Sequence, residues 1–152
     1  MPDPLKALKQ VKSHLKSGSK IYCSEVFNQT LFISPYSPYF LKYWFEFNDL
    51  QWSIGGHPFV GGALGHYLKE AGFVDIKLEV RPFQFDSRDS ERRKIFMDYF
   101  YQILLSAKSS LIKEGRVTTE MVKKMDQEVE HFKKSQDSTF FYAWMRATAR
   151  VP

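Results

Sequence analysis

The chain has 152 residues, of which 43% are hydrophobic and 26% charged, a balance that excludes a disordered protein and favours one domain of ordinary size. The net charge of +5 permits attraction to nucleic acid or an anionic membrane, but no basic stripe interleaved with aromatic residues accompanies it. Cys23 is the single cysteine, which excludes an internal disulfide and a cysteine-based zinc site. No apolar stretch reaches the ~20 residues that span a bilayer, and the lysine-rich start does not resemble a secretory signal. We therefore expect a cytoplasmic protein.

The first predicted unit is a helix followed by a strand. Asp3 and Pro4 are helix-start signals, and Gly18 is placed to end the helix. Residues 21–27 form an apolar run typical of a buried strand, with Glu25 near its end. The apolar stripe of the helix consists of Leu5, Leu8, Val11 and Leu15.

Residues 36–56 form a segment crowded with large aromatic rings and bracketed by prolines and glycines. A short helix is expected around residues 38–50. The rings either belong to a partly mobile lid that encloses a substrate or plug one side of the core, and the sequence leaves both interpretations open. The rings concerned are Tyr36, Tyr39, Tyr43, Trp44, Phe47 and Trp52.

Residues 58–80 repeat the pattern of helix, glycine and strand. Pro58 suits a first helical turn, and Gly72 follows the last apolar residue of the stripe. Apolar and charged residues then alternate over residues 75–81, as in a strand with one solvated face, and Pro82 either ends this strand or marks an edge strand. The helix stripe consists of Val60, Leu64, Tyr67, Leu68 and Ala71.

A helical hairpin is predicted over residues 89–134. Asp89 or Ser90 caps the first helix, Gly115 stops it, and Thr118 or Thr119 caps the second. The first helix has an apolar stripe of Ile95, Tyr99, Ile103, Leu104, Ala107 and Leu111, and the second one of Met121, Val122, Met125, Val129 and Phe132. Residues 139–151 are predicted to form a final strand. Two αβ units favour an α/β fold, and we expect one domain over residues 1–152.

Three stretches in order resemble the C-terminal half of a class I S-adenosylmethionine-dependent methyltransferase. The family's helix that leads through LKPGG into strand five is similar to DPLKALKQVKSHLKSGSKIYCSE, with Ser17 and Ser19 replacing the proline and second glycine. Its LLKEAGF helix and strand six are similar to GALGHYLKEAGFVDIKLE. Its strand seven, antiparallel between strands five and six, is similar to FFYAWMRATAR. The resemblance covers nearly the whole chain and implies a Rossmann-like half with strands five, seven and six, plus the hairpin as an insertion.

The cofactor-binding parts of that family do not occur in this chain. The family binds its cofactor with a glycine-rich loop after strand one and an acidic residue ending strand two. The glycines of SIGGHPFVGGAL precede and enter a helix with no strand before them, so they do not form such a loop. The resemblance therefore implies S-adenosylmethionine as cofactor of a complete parent and no cofactor for this chain alone. It also implies that this chain is a fragment, a truncated gene product or a natural half, with strands one to four upstream in a complete parent.

The resemblance also suggests where chemistry would occur. Substrates of the family lie over the carboxyl ends of the strands. Glu25 could orient or deprotonate a substrate nucleophile there, or it could be a solvated or capping carboxylate. His57 could act as a base, although a helix N-terminal role is the stronger interpretation. The aromatic lid is expected to bind substrate, and no metal site is expected.

Two function hypotheses follow. The first is a methyltransferase, or its C-terminal fragment, that acts on a small-molecule acceptor. The second is a non-catalytic, methyltransferase-derived binding or interaction module. Without the upstream strands, strand 20–27 would have one unpaired edge, so we expect a homo-oligomer or a complex with the missing N-terminal half. Neither nucleic acid nor membrane is an expected partner.

Overall fold

The structure is a computed structural model that describes residues 3–152. Within these residues no helix is long and apolar enough to cross a membrane. The elements comprise α-helices, β-strands and two short 3₁₀ turns, at Asn28–Thr30 and Ser87–Asp89. In chain order the helices and strands are α1 (Pro4–Ser13), β1 (Lys20–Val26), β2 (Phe32–Ser34), α2 (Pro38–Ser53), α3 (Val60–Glu70), β3 (Val74–Phe85), α4 (Ser90–Leu105), α5 (Lys108–Lys113), α6 (Thr119–Lys134) and β4 (Thr139–Arg150).

The last strand, β4, pairs with each of the other three strands in one antiparallel sheet. Its pairing with β1 runs from Lys20 opposite Arg150 to Val26 opposite Trp144. Its pairing with β2 places Phe32 opposite Phe141. The predicted final strand and its pairing with both predicted αβ units are confirmed, whereas β2 was not predicted. The fold thus mixes α and β elements, which is the coarser part of the expected fold class, and its sheet is antiparallel.

The chain divides into two compact units, which are described separately. The first contains the residues up to Thr30, Gly55–Pro82 and Tyr142–Pro152, and the second contains Leu31–Ile54 and Phe83–Phe141. The predicted aromatic segment falls almost wholly in the second unit, and the predicted helical hairpin falls there entirely.

The core of the first unit joins both predicted αβ units to β4. Leucines of α3 pack on small residues of the strand, and half-buried residues of α1 and β1 pack against the same cluster. Small side chains on β4 let the helices approach its backbone closely. The buried residues are Leu64, Leu68, Ala71, Phe73, Ala147, Ala149 and Val151.

Two glycines of this unit have distinct structural roles. Gly72 ends α3 with φ +82°, and Phe73 N–H donates back to the Leu68 carbonyl at 3.0 Å, so the predicted helix stop is confirmed. Gly61 lies within α3, where an added Cβ would stand 2.7 Å from the Val26 carbonyl oxygen. Gly61 is therefore needed for close packing of α3 on the end of β1.

The strand after α3 is longer than predicted. It runs from Val74 through Pro82 to Phe85, so the prediction that Pro82 ends it is wrong. Pro82 has no N–H to donate, but among the described strands β3 pairs only with β4. One edge of β3 is therefore unpaired, and the missing N–H of Pro82 costs no hydrogen bond between strands there. This agrees with the alternative that Pro82 marks an edge strand.

The second unit contains α2, α4, α5, α6 and β2, and α4 and α6 lie where the two helices of the predicted hairpin were expected. Asp89 caps α4 by accepting from Arg92 N–H at 3.4 Å, and Thr118 caps α6 by accepting from Met121 N–H at 3.1 Å. The first predicted helix is interrupted after Leu105, and α5 follows as a separate short helix.

The predicted apolar stripe of α4 is wrong over most of its length. Ile95 and Tyr99 are each 64% exposed and Ile103 is 40% exposed, although Leu104 is buried. The face that is buried carries Arg93, Met97, Phe100 and Leu104. These residues are spaced by four, three and four, a regular helical pattern that was hidden because its first member is charged.

Arg93 is buried because it binds the end of α6. Its Nη1 donates to the carbonyls of Ser138 at 2.8 Å and Gln136 at 3.2 Å, and its Nη2 donates to the Ser135 carbonyl at 2.6 Å. Its guanidinium also lies 5.7 Å from the ring centroid of Phe132. These contacts satisfy carbonyls that follow a helix C-terminus, where a positive charge is favourable.

Replacing Arg93 by methionine should destabilise the protein strongly. The change leaves three carbonyls without their charged donor, so we expect the free energy of unfolding to fall by about 3 kcal/mol. Urea unfolding followed by circular dichroism measures this. Arg92→Met is the matched control: Arg92 forms an exposed pair with Asp89 and lies 5.7 Å from the ring centroid of Phe85, so this change should cost at most about 1 kcal/mol. Equal losses in the two variants would contradict the anchoring role of Arg93.

The outer edge of β1 has backbone donors that β4 does not use. Ala143 N–H donates to Thr30 Oγ1 at 2.9 Å, which shows that Ala143 turns its backbone groups toward the β1 side. The backbone N–H and C=O groups of successive strand residues point to opposite edges, so Ala147, four residues after Ala143, also directs these groups toward β1 and its partner Cys23. The N–H of Ser24, the residue after Cys23, therefore points away from β4. Among the described strands only β4 pairs with β1.

We expect the 152-residue chain to self-associate through this edge. Ser24→Pro removes an outward N–H without breaking the bonds to β4, so it should shift the protein toward monomer while the fold is retained. Ser24→Thr keeps the N–H and is the control. Light scattering at micromolar concentration measures the mass of each protein, and a monomeric chain without substitutions would refute the prediction.

Candidate functional site

In the first unit, the carboxyl end of β1 gathers several polar groups. Glu25 is half-buried and lies one residue before the strand ends. Burial, and next the charge of Glu25, raise the pKa of the Cys23 thiol. Asn28 N–H donates to the Pro58 carbonyl at 3.1 Å, and this bond holds the segment before α3 against the chain that leaves β1.

His57 lies in that segment, three residues before α3 begins at Val60. Its Nδ1 accepts from Phe59 N–H at 3.2 Å, and its ring stands edge-on to Tyr67 with centroids 6.2 Å apart. Both contacts support the interpretation of His57 as a residue of the helix start. Its role as a base stays a prediction, as does the role of Glu25.

Sequence reasoning missed a buried polar pair at the same end of β1. The Tyr142 hydroxyl donates to Asn28 Oδ1 at 2.5 Å, and each residue is 5% exposed. Burial raises the pKa of Tyr142, so its hydroxyl stays protonated at neutral pH. The signal in the sequence was slight: an asparagine directly after a predicted strand, and a tyrosine inside an apolar one.

The aromatic residues predicted to bind substrate separate into buried and accessible groups within the second unit. Tyr43 is fully buried and donates its hydroxyl to the Leu104 carbonyl at 2.8 Å. Trp44 is also buried, stacking on Phe47 at 6.0 Å and contacting Phe100 at 5.4 Å. For Tyr43 and Trp44 the core interpretation therefore accounts for the position. Trp52 is 58% exposed.

Tyr36 and Tyr39 meet in a cleft of about 460 Å³, here called the Tyr39 cleft. Lys124 Nζ lies 5.0 Å from the ring centroid of Tyr39 and donates to its hydroxyl at 3.3 Å. Lys42 Nζ lies 5.9 Å from the same ring. Tyr36 is 78% exposed at the rim. The lining comprises Pro35, Tyr36, Ser37, Tyr39, Lys124, Gln127, Glu128 and His131.

Glu128 shapes this cleft by capping α2 from a neighbouring helix. Its two carboxylate oxygens accept from Tyr39 N–H at 3.1 Å and from Phe40 N–H at 2.8 Å. Ser37, the residue at the cap position, makes no side-chain cap bond and instead donates to the Pro35 carbonyl at 2.9 Å. Glu128 therefore supplies the negative charge that a helix N-terminus favours, and it fixes Tyr39 beside Lys124.

The Tyr39 cleft can contact a planar molecule through ring faces and an anionic substituent through Lys124. Within residues 3–152, no group of three or more histidine, cysteine or acidic side chains is placed to hold a metal ion. A scan against models of protein families and a search of curated proteins each return no match. Inferences about function therefore rest on the geometry of the chain and on its sequence motifs.

Burial of Tyr43 makes stability depend on pH in the alkaline range. Burial raises the pKa of Tyr43 from 10.0 to about 12. Below pH 10 the side chain is neutral in both states. Between about pH 10 and 12 the unfolded chain releases the proton while the folded chain keeps it, so the free energy of unfolding falls as pH rises.

Tyr43→Phe removes that titration together with the bond to Leu104. At pH 7 we expect a loss of about 1 kcal/mol, and above pH 10 the difference between the two proteins should shrink. Urea unfolding of both proteins from pH 8 to 11.5 measures this difference. A constant difference across this range would contradict the assignment.

Proposed function

We propose that the chain is the C-terminal part of a class I S-adenosylmethionine-dependent methyltransferase that acts on a small-molecule acceptor. One observation carries the proposal: β4 is antiparallel to β1 and pairs also with β3, and each of these two strands follows a helix and a glycine with positive φ. The same chain order, with a last strand antiparallel to both partners, is expected for strands five, six and seven of that family. The Rossmann-like topology is part of this proposal.

The polar groups at the carboxyl end of β1 support a catalytic role for this end. Open α/β sheets bind ligands beyond the carboxyl ends of their strands. Glu25 is a carboxylate at that position, and we assign it the orientation or deprotonation of the acceptor. His57 is the second candidate base, brought near the same strand end by the bond between Asn28 and Pro58.

Acceptor binding is assigned to the accessible part of the aromatic segment. Tyr36, Tyr39 and Trp52 have exposed or half-buried rings, and Phe47 is half-buried. Tyr43 and Trp44 contribute by holding α2 in the core of its unit, since neither has an accessible face of useful size.

The proposal also includes that this chain alone does not hold the cofactor. Its closely spaced glycines at positions 55–62 lie before and within α3, and a Cβ at Gly61 would already collide with the Val26 carbonyl. This segment therefore leaves no room for a cofactor loop. The misfit also favours the second candidate, a methyltransferase-derived module without catalytic activity of its own.

Calorimetry with S-adenosylmethionine separates the candidates. The 152-residue chain should show no micromolar binding, whereas a longer reading frame that includes the upstream strands should bind and transfer a labelled methyl group. A longer frame without binding or transfer would support the non-catalytic module. Micromolar binding by the 152 residues alone would refute the proposal that the cofactor-binding strands lie outside these residues.

In an active longer protein, Glu25→Gln should lower kcat by about a hundredfold or more, because general base catalysis typically contributes that much. Glu79→Gln is the control, since Glu79 is an exposed residue of β3 that pairs with Arg81 at the surface. Equal activity of the Glu25 and Glu79 variants would exclude Glu25 from catalysis.

A further inference from the structure

A second cleft in the helical unit is lined only by polar side chains and has no acidic residue in its lining. It has a volume of about 410 Å³ and lies between the start of α4 and the end of α6. We call it the basic cleft. Its lining comprises Ser87, Ser90, Arg93, Lys94, Lys133, Lys134, Ser135 and Gln136.

Two of the four cations in the basic cleft are already engaged by the protein. Arg93 binds the carbonyls that follow α6, as described above. Lys133 Nζ pairs with Asp98 at 2.9 Å and with Glu130 at 2.5 Å. Lys94 and Lys134 are exposed, and within residues 3–152 neither is seen in an ion pair or side-chain hydrogen bond. Their charges are therefore available to a ligand.

A helix C-terminus alone does not account for this cluster. Lysines in the last turn of α6 are favourable there, but Arg93 already occupies the carbonyls that follow the helix. Lys94 belongs to α4 instead, so the end of α6 does not account for its charge. The cluster thus keeps more positive charge than the ends of its helices require.

Two acidic residues that interact with the charge of Arg93, Asp86 and Asp137, form hydrogen bonds with other residues. A hydrogen bond from Arg88 is the main cause that holds the pKa of Asp86 at about 2, and the charge of Arg93 adds to it. A hydrogen bond from Ser135 is the main cause of the lowered pKa of Asp137. Arg93 Nε is buried and has no hydrogen-bond partner among the described residues. The positive charge beneath the cleft is therefore only partly matched.

We infer that the basic cleft binds the phosphate group of an anionic ligand. A phosphate has several oxygen acceptors, and the cleft offers ammonium groups on two sides, from Lys94 and Lys134. Ser87, in the turn before α4, and Ser90, the first residue of α4, add hydroxyl donors to the lining. The volume accommodates inorganic phosphate or pyrophosphate. This inference is independent of the proposed methyltransferase function.

Calorimetry of the whole 152-residue chain with pyrophosphate tests the site. We expect saturable binding in about the millimolar range or tighter. The double variant Lys94→Gln, Lys134→Gln should bind about a hundredfold more weakly, at about tenfold for each lost charge-assisted bond. The control double variant Lys113→Gln, Lys123→Gln removes two exposed lysines outside the cleft and should bind pyrophosphate like the chain without substitutions.

Vesicles distinguish free phosphates from lipid headgroups. Cosedimentation with phosphatidylglycerol vesicles, compared with phosphatidylcholine vesicles, reports on a headgroup source. Binding to the anionic vesicles that the Lys94 and Lys134 changes abolish, without pyrophosphate binding, would assign the cleft to a lipid phosphate. Absence of binding to both probes, or equal weakening in the control variant, would overturn the inference. Unchanged circular dichroism and melting temperature show that the variants are folded.

Discussion

Every strand of the sheet depends on β4. Strands β1, β2 and β3 each pair with it, and among the described strands no other pairing occurs. The partners are far apart in sequence, as in the pairing of Lys20 with Arg150. Because such long-range pairs require closing a large loop first, the sheet cannot form before the last residues of the chain are in place.

The composition of β4 explains how one strand can serve both as a pairing partner and as a packing surface. Its second half carries small residues at Ala147 and Ala149, which are buried against the leucines of α3. Larger residues there would push the helix away from the sheet and open voids elsewhere. The strand is therefore aromatic where it contacts α4, as at Phe140, and small where α3 packs.

The helical unit is organised by two charged side chains that satisfy helix ends belonging to other helices. Arg93 of α4 binds the carbonyls after α6, and Glu128 of α6 binds the first N–H groups of α2. Each charge has the sign that the helix dipole favours at that end. The two clefts lie at these junctions: the Tyr39 cleft includes Glu128, and the basic cleft includes Arg93. The contacts that join the helices thus also set the shape and charge of the surfaces beside them.

The glycines of residues 55–62 illustrate how a motif takes its meaning from its neighbours. A run of glycines before a helix can cradle phosphate when a strand precedes it. Here Gly61 packs on the carbonyl end of β1, and the absence of a Cβ serves the approach of two backbone segments. The sequence predicted that these glycines precede and enter a helix with no strand before them, and this placement is confirmed, but the packing of Gly61 on β1 was not predicted.

The sequence by itself determined the elements whose signals are local. Asp3, Asp89 and Thr118 are helix caps, Gly72 ends α3, and the alternation after Gly72 marks β3, because caps, turns and side-chain periods act within a few residues. The same alternation was wrong about burial, since Leu78 is 48% exposed and Val80 55% exposed.

Only the tertiary structure decided which residues are buried or meet across the chain. The buried face of α4 includes Arg93 because carbonyls more than forty residues away satisfy its charge. Likewise, Glu128 became a cap, Tyr43 a core residue and Asn28 the partner of Tyr142 through contacts between distant segments. No local pattern contains those contacts, since burial of a polar group is favourable only where its partner is supplied by the fold.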